Sequence, residues 1–305
     1  MNLIAWGSAL LLILASGQAM ATDAPASTKA PAASAPPVSA DGLDYAFGVK
    51  LQSNYLSRGI TQSDHKPGVT AYGELRYNVS DSQFYAGLQP WSVKLPSRPA
   101  AEIDLYGGIR QTFGPVVVDA GAIYYEYPHN TRQYFGNGPV TALLPFVGSL
   151  PLGAKNPSYY EVYAKPVYTV NDIWTVGANF FYSPNYQNVR ARDFYGSGTL
   201  KINLPANFSV SGELGYQYLG TTSATYGPVT YKSYTTWNLG VSYVYKVATL
   251  DLRYSGSNLS KSNCYLDASD PKGNMVGQVA SMRSHWCDQR VMASLSIDIT
   301  SKDLK

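Results

Sequence analysis

From Asp44 to Tyr55 the chain alternates. Tyr45, Phe47, Val49, Leu51 and Tyr55 stand against Asp44, Lys50, Gln52 and Asn54. A period of two predicts a strand with one apolar and one polar face. The pattern returns between Val69 and Val79, where Ala71, Leu75 and Tyr77 oppose Glu74, Arg76 and Asn78. Between Ala101 and Phe113, Ile103, Leu105 and Ile109 oppose Glu102, Asp104 and Arg110. It is equally clear in Tyr159–Val170, Phe194–Leu204, Phe208–Tyr218 and Val291–Ile299. Twelve segments are predicted in all, near 44–56, 68–79, 83–91, 100–113, 116–127, 158–170, 173–183, 193–204, 208–218, 233–245, 249–255 and 290–299. Most approach the ~9–11 residues that a tilted strand needs to cross a bilayer.

The links between them alternate in length. Tight turns at Ser80-Asp81-Ser82, Gly114-Pro115, Asn171-Asp172, Pro205-Ala206-Asn207 and Lys246-Val247-Ala248 alternate with longer loops near 57–67, 92–99, 128–157, 184–192, 219–232 and 256–289. Short turns at one end and long loops at the other describe an up-and-down barrel. An even strand number lets the first and last strands pair antiparallel, and closure is required because an open edge in lipid leaves backbone groups unpaired. The predicted fold is all-β: a transmembrane up-and-down antiparallel β-barrel of about twelve strands over 42–300, with a short tail at 301–305.

Composition agrees with a wall that faces lipid. Only 14% of the 305 residues are charged, against about 25% in a typical soluble domain. The 26 Tyr, 5 Trp and 9 Phe exclude a disordered chain, and coiled coils and helical repeats need more Ala, Glu, Lys, Leu and Arg than this chain has. A net charge of +3 gives no argument for nucleic acid. The aromatics are expected to form two belts. Tyr45, Tyr77, Phe84, Phe113, Tyr168, Trp174, Phe208 and Tyr243 fall at the short-turn end. Tyr55, Tyr124, Tyr160, Phe180, Tyr182, Phe194, Tyr218, Trp237 and Tyr254 fall at the long-loop end.

The N-terminus predicts export. Leu3 to Ala15 is an apolar run of signal-peptide length, and Ala19-Met20-Ala21 is a small-x-small cleavage site. Residues 1–21 are therefore read as a signal peptide and 22–41 as an Ala/Pro/Ser-rich periplasmic leader. The expected location is the outer membrane of a Gram-negative cell.

Strand parity assigns the charges. Asp44, Lys50, Glu74, Arg76, Glu102, Asp104, Arg110, Asp119, Glu161, Lys165, Asp193, Lys201, Glu213, Lys246, Asp251, Arg253, Arg290 and Asp298 are expected to point inward. With Asn54 and Arg58 from the first loop, most of these are the candidate pore-lining residues. Arg58, Arg76, Arg110, Glu102 and Glu161 are the expected determinants of charge selectivity. The long loops carry twelve basic side chains against four acidic ones, so a basic vestibule is expected over a mixed lumen. About eight strands are filled by side chains, while 16–18 leave a channel. Twelve lies between, which leaves both a narrow pore and an interior that pairs off and plugs itself.

Thr141 to Ala154 is almost wholly apolar. It could fold into the mouth, pack on a neighbouring subunit or pack on the other loops. Cys264 and Cys287 share the last loop, and an oxidising envelope favours a disulfide between them. His65, His129 and His285 lie in or beside loops, without the Ser and orienting group a hydrolase needs. No catalytic residue, cofactor or metal site is predicted.

One block is similar to a known family. Ser53-Asn54-Tyr55-Leu56-Ser57-Arg58-Gly59-Ile60-Thr61-Gln62-Ser63-Asp64, followed by Lys66-Pro67, resembles the opening motif of the TorF family of porins, the Gcw_chp-type outer-membrane proteins. Phe84-Tyr85-Ala86-Gly87, Glu102 to Gly108, Tyr124 to Pro128 and Tyr159 to Tyr163 are similar to later blocks in the same order, over roughly 43–299. The chain departs from the pattern in its apolar insertion at 129–157 and in lacking a terminal aromatic residue. The resemblance implies an outer-membrane barrel assigned as a porin, with no catalytic residues to carry over. The expected function is passive diffusion of small hydrophilic solutes. The alternative is a closed barrel acting as an anchor or a surface-binding scaffold through its long loops. The expected partners are outer-membrane lipid, small polar solutes, periplasmic chaperones and the barrel-assembly machinery. Nucleic acid is not expected, and the sequence leaves the oligomeric state open.

Overall fold

The computed structural model describes residues 41–129, 156–223, 229–268, 270 and 283–304. Twelve long strands close into one antiparallel barrel. They are β1 (Gly42–Gln52), β4 (Gly68–Val79), β5 (Ser82–Trp91), β6 (Glu102–Phe113), β7 (Val116–Glu126), β8 (Tyr159–Thr169), β9 (Trp174–Tyr186), β10 (Ala191–Asn203), β11 (Phe208–Leu219), β12 (Tyr234–Tyr245), β13 (Ala248–Ser257) and β14 (Arg290–Thr300). Each pairs with its neighbour in sequence, and β1 closes on β14 with Val49 opposite Ile297. Between β1 and β4 lies a small separate hairpin, β2 (Leu56–Ser57) and β3 (Ile60–Thr61). The last long loop contains a helix, α1 (Lys261–Ala268). Residues Ser301–Leu304 form a 3₁₀ turn, where the Asp303 carboxylate accepts the Thr300 backbone N–H at 3.0 Å.

Alternation sorts the two faces. Leu43, Leu75, Leu105, Val162, Leu214, Leu239 and Leu252 point outward and are 43–76% exposed. Such a continuous apolar outer wall is what a hydrocarbon surround requires. The parity assignment of charge holds with one correction. Lys246 is not in the lumen: it occupies the turn between β12 and β13 with φ +54°, its ammonium over the Tyr245 ring. Two-residue turns put positive-φ residues outside the strand alternation, so parity counted from β12 does not extend to it.

Three further expectations need correction. Strand β1 stops at Gln52 rather than near 56, because the chain then turns into the hairpin. The 184–192 link is far shorter than expected, since β9 runs to Tyr186 and β10 begins at Ala191. The tyrosines do not all belong to belts. Tyr45, Tyr77, Tyr124, Tyr160, Tyr168, Tyr182 and Tyr218 are exposed on the outer wall, whereas Tyr55 is 4% exposed. Tyr85, Tyr106, Tyr125, Tyr163, Tyr195 and Tyr234 are also buried inside.

These inner rings are seated on glycines. Tyr106 lies over Gly87, Tyr163 over Gly121 and Tyr195 over Gly215, each so close that a side chain on the glycine would overlap the ring. A bare backbone on one strand and a large ring on the next fill a narrow tube with little void. The segment 1–21 expected to be a signal peptide, most of the expected leader at 22–41 and the apolar stretch 141–154 lie outside the described residues.

Candidate functional site

The hairpin β2–β3 has a two-residue loop, Arg58 at φ +44° and Gly59 at φ +79°. Positive φ at both central positions is the type I′ turn of tight hairpins. Gly59 suits it without strain, and a Cβ there would press on the Gly256 carbonyl and the Ser257 side chain at 3.0 Å. Arg58 holds a conformation uncommon for a side chain of its size, and its contacts offset that cost.

Arg58 is 5% exposed. Its guanidinium donates through Nη2 to Glu161 Oε2 at 2.7 Å and through Nη1 to Glu161 Oε1 at 2.8 Å. Nη1 also meets Asp193 Oδ2 at 3.0 Å and Gln217 Oε1 at 3.2 Å. The plane lies 5.1 Å from the Phe181 ring centre and 4.9 Å from that of Tyr195. Tyr125 Oη donates to Glu161 at 2.8 Å. Such a fork-to-carboxylate pair adds direction as well as energy.

The location of these partners matters. In the twelve-strand ring, β9 stands six places from β1 in either direction. Glu161 on β8 and Asp193 on β10 therefore flank the wall opposite the strand from which the hairpin springs. The first loop thus crosses the lumen at the long-loop end. It is tied down on its own side as well. Tyr55 stacks on Trp91 with ring centres 4.1 Å apart and donates to Glu102 at 2.6 Å. Trp91 Nε1 donates to Asp104 at 2.8 Å. Asn54 accepts from Thr61 at 2.6 Å and from Ser63 at 3.1 Å. The last loop lies over the hairpin, with the Thr61 N–H bonded to the Trp286 carbonyl at 3.0 Å. Trp286 is next to Cys287, whose disulfide to Cys264 joins α1 to the segment before β14.

Below the hairpin the lumen charges form paired groups. Arg110 grips both oxygens of Glu74 at 2.9 Å, meets Gln83 at 2.7 Å and Asp119 at 3.4 Å, and lies 3.8 Å from the centre of the Tyr85 ring. Arg76 pairs with the same Glu74, and Tyr85 with Asp119 and Tyr163. Arg253 binds Asp251 at 2.8 Å and Ser211 Oγ at 2.9 Å. Glu213 accepts from Tyr195 at 3.1 Å and from Asn179 at 3.2 Å. Lys165 lies over the Tyr163 ring at 4.2 Å. Lys50 on β1 and Lys201 on β10 also point inward.

Sequence parity thus places Lys50, Glu74, Arg76, Glu102, Asp104, Arg110, Asp119, Glu161, Lys165, Asp193, Lys201, Glu213, Asp251 and Arg253 on the inner wall. Arg58, counted from the sequence both among the long-loop cations and among the pore-lining candidates, is a bridge inside the lumen. The described loop cations Lys66, Lys94, Arg98, Arg190, Arg192, Lys232 and Arg283 are exposed. Sequence reasoning gave no role to Tyr125, Gln217 and Trp91. Asp267 is one of the four acidic residues counted in the long loops, where a solvated charge is expected.

Asp267 on α1 is instead 4% exposed, and neither carboxylate oxygen has a hydrogen-bond partner. Burial pushes its carboxyl up to about 7. The folded protein therefore holds a proton that the unfolded chain has released above about pH 4. Stability should fall as pH rises from about 4 to about 7, by a few kcal/mol in all, and level off beyond. Asp267→Asn should flatten that part of the profile and raise the denaturation midpoint at pH 8. Chemical denaturation of refolded protein across that range checks it, and an unchanged profile would contradict the assignment.

No curated protein matches this chain. Among solved structures, the toluene transporter TodX of Pseudomonas putida aligns with a TM-score of 0.42 at 13% identity, over 86% of this chain and 89% of that one. An outer membrane channel from Pseudomonas putida F1 aligns with a TM-score of 0.44 at 12% identity, over 88% and 97%. The KdgM porin, solved in complex with disordered oligogalacturonate, aligns with a TM-score of 0.43 at 8% identity, over 84% and 97%. At this distance neither solute nor mechanism passes from them to this chain. The sequence itself is more decisive, because residues 37–278 match the profile of Gcw_chp, a bacterial protein of unknown function. That span takes in the first-loop motif and eleven of the twelve barrel strands, and the chain belongs to the Gcw_chp family.

Proposed function

We propose that the protein is an outer-membrane channel for small hydrophilic solutes, narrowed at its outer mouth by the β2–β3 hairpin. The observation that carries this reading is the contrast between the two walls. The outer face is apolar along the strands, while the inner face carries charged side chains from the Asp44 level to the Asp193 level. A barrel that served only as an anchor could be filled with apolar side chains, and buried ions contribute little net stability. Polar walls suit a path in which side chains replace part of a solute's hydration. Arg58, Arg110 and Glu74 would set its charge preference, and the signal peptide and assembly machinery would bring it to the outer membrane.

A second reading draws on the seating of Arg58. A guanidinium held by two carboxylates across the mouth also suits a closed barrel that displays its loops. Planar-bilayer recording of the refolded protein in potassium chloride separates the two. Discrete conductance steps are expected. A barrel that folds, as judged by heat-dependent gel mobility, yet passes no current would establish the scaffold instead.

A further inference from the structure

A small half-open cavity of about 40 Å³ lies at the mouth, between the hairpin, α1 and the upper ends of β7 to β9. That is more than one water needs, and too little for a sugar ring. Asp267 lines it, with both oxygens without a hydrogen-bond partner and only 4% of its surface exposed. Gln187 contributes a carbonyl oxygen that is likewise without a donor. The wall is aromatic: Tyr125 stacks on Tyr159 at 4.8 Å, and Tyr159 meets Tyr186 edge-on at 5.3 Å.

The surrounding charge is one-sided. At this end of the barrel Glu102, Asp104, Glu161, Asp193, Asp267 and Asp270 are all less than a tenth exposed. The one cation buried to that degree there, among the described residues, is Arg58, and its fork is committed to Glu161 and Asp193. A buried carboxylate without a partner is costly, and what would relieve it is a positive group with hydrogen-bond donors. A metal ion fits poorly. Calcium needs six to eight oxygen ligands, and the described residues contain no cluster of acidic, histidine or cysteine side chains able to hold one. An ammonium group fits on three counts: it donates up to three hydrogen bonds, it is attracted to the faces of tyrosine rings, and it has the size of the cavity.

We propose that this pocket receives the protonated amino group of a small organic cation, with Asp267 as its counter-ion and the Tyr125–Tyr159–Tyr186 wall around it. The inference deepens the channel reading on which it rests, since it names the class of solute that pauses at the mouth. The remainder of the molecule extends from the pocket toward the opening, because only the head group fits inside.

Titration calorimetry on the refolded full chain in detergent tests this with 1,4-diaminobutane as probe and 1,4-butanediol as its neutral counterpart, at constant ionic strength. Saturable heat with the diamine and none with the diol is expected. Asp267→Asn, shown folded by its heat-dependent gel mobility, should weaken the diamine at least about tenfold, the loss of one charge-assisted bond. No heat with the diamine, or equal binding of the diol, would overturn the proposal without use of any variant. Potassium chloride conductance of the wild type, recorded without amine, keeps the two readings apart. A silent bilayer beside an intact isotherm removes the channel and supports the site. Conduction without an isotherm removes the site and leaves the channel.

Discussion

Arg58→Ala is expected to lower the stability of the folded barrel by about 3–5 kcal/mol, the range for removing one partner from a buried ion pair. The loss should be at the upper end. Two carboxylates, Glu161 and Asp193, share this guanidinium, both fully buried. Without it they are left side by side on the wall around β9, with Tyr125 and Gln217 as the remaining named donors. The hairpin would lose its anchor on the far wall, so conductance steps should grow larger and noisier in the same variant. Arg58→Lys should recover only part of the stability, since an ammonium cannot present two parallel donors to Glu161. The triple variant Arg58→Met, Glu161→Gln, Asp193→Asn should recover most of it, because no charge is then buried without a partner. Denaturant midpoints give the order wild type, triple, Lys, Ala. An Arg58→Ala midpoint equal to the wild type would mean that the bridge does not hold the hairpin.

Removing the disulfide should have the next largest effect. Cys264 and Cys287 are 23 positions apart and almost completely buried. Closing a loop of that size stabilises by about 3 kcal/mol in the chain-entropy account. The same crosslink positions Trp286, whose carbonyl receives the Thr61 N–H from the hairpin. Replacing both cysteines by serine should therefore lower the denaturation midpoint and also increase brief openings in single-channel records. A midpoint unchanged in the double variant would show that the rest of the loop holds the cap unaided.

The barrel was legible in the sequence because each long strand has one face in lipid and one in the lumen, which is the condition for a clean period of two. Leu75 against Glu74 and Leu214 against Glu213 could be assigned without any coordinates. The lumen was legible only in part. Parity says which way a side chain points, and says nothing of what stands opposite. Arg58, Glu161 and Asp193 are 103 and 135 positions apart in sequence, and only closure of the ring brings β8 and β10 before the hairpin. The one local signal was Arg58-Gly59 between two short β-prone pairs. It is a weak form of the two-residue turn signature, since arginine rarely takes the first position. The excess of tyrosine predicts two belts, yet the inner rings over Gly87, Gly121 and Gly215 follow a different rule. Glycine on one strand makes room for tyrosine on the next, and that pairing runs across strands rather than along them. The burial of Asp267 is hidden from the sequence for a similar reason. A loop carboxylate is usually solvated, and its burial depends on a helix and a crosslink that alternation cannot foresee.

The central claim is that a polar transmembrane path is narrowed by the hairpin Leu56–Thr61, and single-channel conductance measures it most directly. The variant has residues 56–61 replaced by a Gly/Ser linker of equal length and is compared with wild type in the same lipid and salt. Larger conductance steps in the variant, with heat-dependent mobility retained, are the predicted result. Equal steps from two folded barrels would contradict it, for the hairpin would then not stand in the path of the ions.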